Sequence, residues 1–265
     1  MPAARSTTPT SPSDPLAHVA ALPGVDAAVE RARAAVDDLR GHRVLRRYGE
    51  RVSSESALRG ARASAALEGV DLPLDAVRRT VSAGGRLPED GEPVVQGALR
   101  VATELGPLQA TWSRAPLQVL ARLHTLAASG LDDEAVLGRP RPSAATRLAA
   151  VGDLLTSPTS APALVVAAVV HGEVAMIGAF SAGSGVVARA AARLTYVERG
   201  LDPDAVSVPE VGHVELGRVD YLDALRAYAE GGPDGIAAWV VHCAEAVVLG
   251  AREGVAVCEA IQRGS

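Results

Sequence analysis

The chain has 265 residues, 48% of them apolar and 22% charged, enough to bury a substantial core and too apolar for a disordered protein. A formal charge of −5 supplies no general polycation to screen phosphates, which argues against nucleic acid or an anionic membrane as partner. Lysine and asparagine are absent, a bias that points to GC-rich coding more than to any function.

Residues 1–14, MPAARSTTPTSPSD, lack the apolar centre of a secretory signal and are expected to form a disordered tail ahead of a single helical domain at 15–265. Apolar residues three and four apart predict helices over Pro15–Ala21 and Val25–Leu39, the second stopped by Gly41. The small residues of SSESALRGARASAALEG, Ser53 to Gly69, predict a helix packed closely on its neighbours. Helices follow over Pro73–Ser82 and Val94–Ala110, separated by a polar turn at Gly84–Glu92. A further helix is expected over Pro116–Ala128, with His124 a core or boundary histidine on its leucine face.

Gly130–Ser143, with Asp132-Asp133-Glu134 and two prolines, reads as a surface loop, and helix resumes over Ala144–Leu155. Two apolar runs then flank a small-residue loop at Gly178–Gly185. Val206–Glu215 reads as irregular or extended, and His213 in it has no spaced ligand partner. Helices over Val219–Ala229 and Asp234 to about Ile261 complete the chain, with His242 in a structural role. The absence of any strand-turn-strand rhythm or internal repeat makes the fold all-α. Cys243 and Cys258, fifteen apart with no ligand-like neighbours in sequence, indicate neither zinc nor a disulfide, so no metal is expected. No apolar run reaches the length of a membrane span, and a cytoplasmic location is the expectation.

The chemistry-bearing stretch is the loop at 178–185. Gly183-Ser184-Gly185, just ahead of a helix, can turn backbone N–H groups toward one point, where the helix dipole also favours an anion such as phosphate. Arg189, one turn further on, could meet the same anion, although small residues at a tight interhelical turn need no ligand. The segment GAFSAGSGVVAR, Gly178–Arg189, resembles the signature of the Fic (Fido) family, H-P-F-x-[D/E]-G-N-G-R-x-x-R. Phe180, the chain's sole phenylalanine, and Gly183, Gly185 and Arg189 match, while Ser184 stands where the family has Asn. The His, Pro, acidic and first Arg positions are Gly178, Ala179, Ala182 and Val186. Ser64-Ala65-Ala66-Leu67-Glu68-Gly69 resembles the family's inhibitory motif, [S/T]-x-x-x-E-[G/N].

The resemblance implies a Fic-like helical bundle with a core at about 92–250, an inhibitory-like helix at 53–68, and a flap hairpin that is short or absent. It also implies that Glu68 pairs with Arg189 through a charge-assisted contact. Fic proteins mostly transfer AMP from ATP to protein hydroxyls. Here the position of the base is taken by Gly178 and that of the magnesium-holding acid by Ala182, and losing a general base alone costs roughly 10²–10⁴ in rate. His171 lies seven residues before Gly178, about 10 Å back along a helix, and is not expected to substitute. The expectation is a pseudoenzyme without catalytic residues, with ATP as the ligand its remaining loop could take and a protein as its partner. Two other readings stay open: a non-standard nucleotidyltransferase, and a helical protein-interaction module.

Overall fold

The computed structural model describes residues 14–82 and 92–264. Residues 1–13 of the expected tail and nearly all of the expected turn at Gly84–Glu92 lie outside them. Among the described residues there is no strand. Six helices form the first half: α1 (Pro15–Ala20), α2 (Val25–Arg40), α3 (Leu45–Leu67), α4 (Leu74–Ser82), α5 (Glu92–Trp112) and α6 (Pro116–Ala128). Six more follow: α7 (Ala145–Thr156), α8 (Ala163–Met176), α9 (Ser184–Glu198), α10 (Pro209–Leu216), α11 (Arg218–Glu230) and α12 (Pro233–Arg263). The all-α class therefore holds. Where a flap hairpin would lie, between α6 and α7, there is only one bridge, Ser129 to Asp132, and a single 3-10 turn at Pro142–Ala144.

Helix α8, ALVVAAVVHGEVAM, is apolar around its whole circumference, as a helix buried on every side must be. One side joins a core with Trp112, Leu120, Leu123, Phe180 and Val187, and the other joins a core with Val36, Tyr221, Trp239 and Cys243. Gly172 permits the second contact, because a Cβ there would lie 2.7 Å from the Tyr228 ring. Helix α9 packs along α8 and also touches α3, α5 and α6, so the loop before α9 opens where these helices converge.

Three sequence expectations need correction. Val206–Glu215 is not irregular throughout, since it contains α10, with Pro209 at the first helical position, Glu210 in the first turn and Gly217 as the stop. Its central Gly212 is demanded by packing: a Cβ would sit 2.0 Å from the Ala246 carbonyl oxygen, so α10 and α12 meet backbone to backbone. By length and composition α12 is apolar enough to cross a membrane, contrary to the expectation, and its Trp239, Val240, Cys243 and Val247 side is buried among other helices.

Asp14, assigned by sequence to the tail, is the N-cap of α1. Its Oδ1 accepts from the Leu16 and Ala17 N–H groups at 3.1 and 3.3 Å, and Thr159 Oγ1 and the Ser160 N–H donate to Oδ2 at 2.9 and 2.8 Å. The Ser160 backbone bond, opposed by desolvation and aided by Thr159 and the Ala17 N–H, lowers its pKa to about 2 from 3.8. A carboxylate held below its ordinary pKa stabilises the fold above that ordinary value, and the contribution fades as pH falls through the folded value. Hydrogen exchange of the α1 amides is therefore expected to accelerate as pH drops from about 4 to about 2, beyond the intrinsic pH effect. Asp14→Ala should produce the same loss of protection at neutral pH.

Candidate functional site

Gly183 has φ 69°, in the left-handed region that glycine tolerates, and serves as N-cap of α9 without a side chain. Ala127 of α6 packs behind it, since a Cβ at 183 would lie 3.2 Å from the Ala127 Cβ. Phe180 is buried and stacks on the His124 ring with centroids 4.2 Å apart, and Gly138 N–H donates to His124 Nδ1 at 2.9 Å. His124 is thus the core histidine the sequence suggested, and it fixes the underside of the loop. Arg141 lies along the loop's other edge, its N–H donating to the Ala179 carbonyl at 2.8 Å. Ser181 Oγ donates to Asp132.

Helix α3 ends in a Schellman motif: Val70 N–H reaches the Ala65 carbonyl at 3.0 Å, Gly69 N–H reaches Ala66 at 2.9 Å, and Gly69 takes φ 96°. That turn leaves Glu68 as the C-cap, aimed at the start of α9. Its Oε1 accepts from Arg189 Nη2 at 2.7 Å. It also lies so close to the first turn of α9 that a Cβ at Gly185 would stand 2.1 Å from it. The chain's own carboxylate thus stands at the N-terminal end of α9, where the helix dipole favours negative charge.

Arg189 is fully engaged. Nε donates to Ser64 Oγ at 2.8 Å, Nη2 to the Ser64 carbonyl at 2.9 Å as well as to Glu68, and Nη1 to Tyr221 Oη at 3.1 Å. Burial pushes its pKa down, but Tyr221 and Glu68 more than offset this, so it stays above its ordinary value and charged. Tyr221 Oη lies 2.9 Å from His171 Nε2, and burial, with the Arg189 and His242 charges adding, drives the His171 pKa well below its ordinary value. His171 is thus a neutral core group, and α8 carries it well before the loop. Glu173, two residues on, accepts from Tyr228 Oη at 2.9 Å and from Arg147 at 2.8 Å.

The fold therefore brings Ser64, Glu68, Gly183, Ser184, Gly185 and Arg189 to one place, with Phe180 as the plug beneath and Gly69 as the turn that aims Glu68. Gly178 takes φ 63°, a conformation that strains any side chain placed there. Ala182 offers no side-chain oxygen, and the neighbouring Asp132 is engaged by Ser181, so the loop does not fit a magnesium ion held by a signature acid.

No protein-family model matches the chain, and no curated protein matches it. Solved structures do. A Fic family protein from Desulfovibrio desulfuricans G20 is 23% identical, with 86% of this chain and 74% of that one covered and a TM-score of 0.67. Fic-1 from C. elegans is 20% identical over 92% and 76% of the two chains, with a TM-score of 0.71. A variant of Fic-1 is 18% identical over 88% and 72%, with a TM-score of 0.68. The chain has the Fic fold. Within it the glycine loop, the α9 arginine and the α3 glutamate meet as the resemblance implied.

The sequence missed one cluster. His171 on α8, His213 on α10 and Cys243 on α12 are all buried and share one spot, although their spacing of 42 and 30 residues fits no ligand motif. The expectation that Cys243 has no ligand-like neighbours is corrected: helix packing, rather than sequence spacing, assembles them. A histidine on a helix apolar around its whole circumference was the available signal.

Proposed function

We propose that this protein is a Fic-fold pseudoenzyme whose anion cradle at Gly183, Ser184, Gly185 and Arg189 is closed by Glu68, and that nucleotide binding requires Glu68 to leave. The observation that carries this reading is the Glu68 carboxylate against Gly185 and Arg189. A triphosphate and Glu68 compete for the same guanidinium and the same helix end, so they exclude each other. The groups that move a proton and hold the ion are replaced by Gly178 and Ala182, and the positive φ at 178 means that a histidine restored there would be strained. The ligand class is a nucleoside triphosphate, and the output is a change at the α3–α9 contact that a protein partner can read.

The test is calorimetric titration with ATP. Releasing Arg189 from a partly exposed contact worth about 1 kcal/mol should tighten ATP binding roughly 5-fold or more in Glu68→Gly relative to the parent chain. Adding Arg189→Ala to Glu68→Gly should return affinity to the weak parent level. Labelled ATP with magnesium should leave no AMP on protein in either form. Equal, undetectable binding in the parent and Glu68→Gly would favour a plain interaction module, and AMP transfer by Glu68→Gly would establish a non-standard transferase.

A further inference from the structure

We propose that His171, His213 and Cys243 form a buried site for one zinc ion, a proposal that does not rest on nucleotide binding at the cradle. One donor atom of each lies within 4.8 Å of the others. For any such triangle there is a point no more than about 2.8 Å (4.8 divided by √3) from all three donors. Zn–N distances of about 2.0–2.1 Å and a Zn–S distance of about 2.3 Å then need inward movements of only about 0.5–0.8 Å, within reach of side-chain rotation on fixed helices.

The surroundings match what ligating imidazoles require. A bound histidine needs its second ring nitrogen held by a partner. His213 Nδ1 faces His242 Nε2 at 3.1 Å and His171 Nε2 faces Tyr221 Oη at 2.9 Å, so each ring already has one nitrogen held by a partner. Burial, together with neighbouring His171, His242 and Arg189, keeps both imidazoles neutral, the form that ligates. Burial also holds the Cys243 thiol protonated in the metal-free chain. Binding breaks the S–H bond, releases that proton to solvent and forms the Zn–S bond, with no change of oxidation state. Two imidazoles and one thiolate are a borderline-soft set that suits Zn²⁺ better than Mg²⁺ or Ca²⁺.

Such an ion would tie α8, α10 and α12 together at the point where Gly212 already brings α10 against α12. It would also reach the cradle by contact, since the Tyr221 hydroxyl that holds His171 accepts from Arg189 Nη1.

The experiment is a Co²⁺ titration of the full chain after removal of bound metal with a chelator. One equivalent should produce the near-ultraviolet band of a cobalt–thiolate bond, Zn²⁺ should abolish it, and about one proton should be released per ion. Cys258→Ser should keep the band. Cys243→Ser should lose it, with circular dichroism checking that the helices persist. The chain has only two cysteines, so Cys258→Ser decides between them even if Cys243→Ser does not fold. Absence of the band in the folded parent chain, its loss in Cys258→Ser, or its persistence in Cys243→Ser would overturn the site.

Discussion

Arg189→Ala is expected to destabilise the protein by about 3 kcal/mol, lowering the melting temperature by roughly 6–12 °C for a chain of this size. The guanidinium side chain is 2% exposed and donates to four acceptors, whereas Glu68 is 31% exposed. The ion pair itself is therefore not the main stake, because a half-wet carboxylate rehydrates when its partner goes. The cost comes from the Ser64 carbonyl, the Ser64 hydroxyl and the Tyr221 hydroxyl, which lose a donor inside the core, and from the space the side chain vacates. Glu68→Gln keeps an acceptor facing Arg189 and should cost no more than about 1 kcal/mol. Arg189→Lys, a point charge without the planar fork, cannot serve Ser64, Glu68 and Tyr221 together and should fall between the two. Guanidinium denaturation of the three variants checks the order. If Arg189→Ala lies within 1 kcal/mol of the parent, the guanidinium is not a strut of the core.

That asymmetry bears on the site. With Glu68 removed, Arg189 is still held by Ser64 and Tyr221, so the cation keeps its position and presents to the cradle. A glutamate that plugs the site and an arginine that supports the fold are separable by mutation, and only the first should respond to ATP.

Local chemistry made part of this legible before any coordinates. Gly183-Ser184-Gly185 announces a turn into a helix because only glycine takes φ 69° there without strain, and the apolar spacing on either side fixes both helices. Glu68-Gly69 is readable for the same reason, as a left-handed cap ending α3. Phe180 as the loop's anchor was implied by the resemblance to the Fic signature, and the structure stacks it on His124. What spacing could not show is where separate helices touch. Asp14 lies 145 residues from Thr159, and nothing in either segment names the other. Helix α10 was hidden because Gly212, ordinarily a weak helix residue, is there to let the Ala246 carbonyl approach. His171, His213 and Cys243 sit on three separate helices, of which α10 and α12 meet at that backbone contact, so their meeting is a consequence of packing that local sequence does not encode.

The other large effect is expected at Glu210. Arg193, one turn beyond Arg189, is 7% exposed and donates to Glu210 Oε2 at 2.7 Å, with Glu210 itself 8% exposed. Its Nη2 also donates to the Ala205 carbonyl at 3.2 Å and the Ser207 carbonyl at 2.9 Å. These bonds brace a turn in which Ala205 holds φ 50°, uncommon for a residue with a side chain, and in which Asp202 accepts from the Val206 and Ser207 N–H groups. Glu210→Ala strips the counter-charge from a guanidinium that cannot reach water, and should cost about 3–5 kcal/mol. Replacing both partners, Arg193→Met with Glu210→Leu, removes the stranded charge but leaves the Ala205 and Ser207 carbonyls without their donor. The double variant should therefore cost less than Glu210→Ala yet remain below the parent by about 1–3 kcal/mol. A thermodynamic cycle over the two singles and the double measures the coupling directly. Additivity within about 0.5 kcal/mol would mean that the two side chains do not depend on each other, whereas the buried geometry requires strong coupling. Because α9 carries Arg189 and Arg193 on the same face one turn apart, loosening Glu210 should also weaken ATP binding by Glu68→Gly, through displacement of the helix rather than through any contact with the nucleotide.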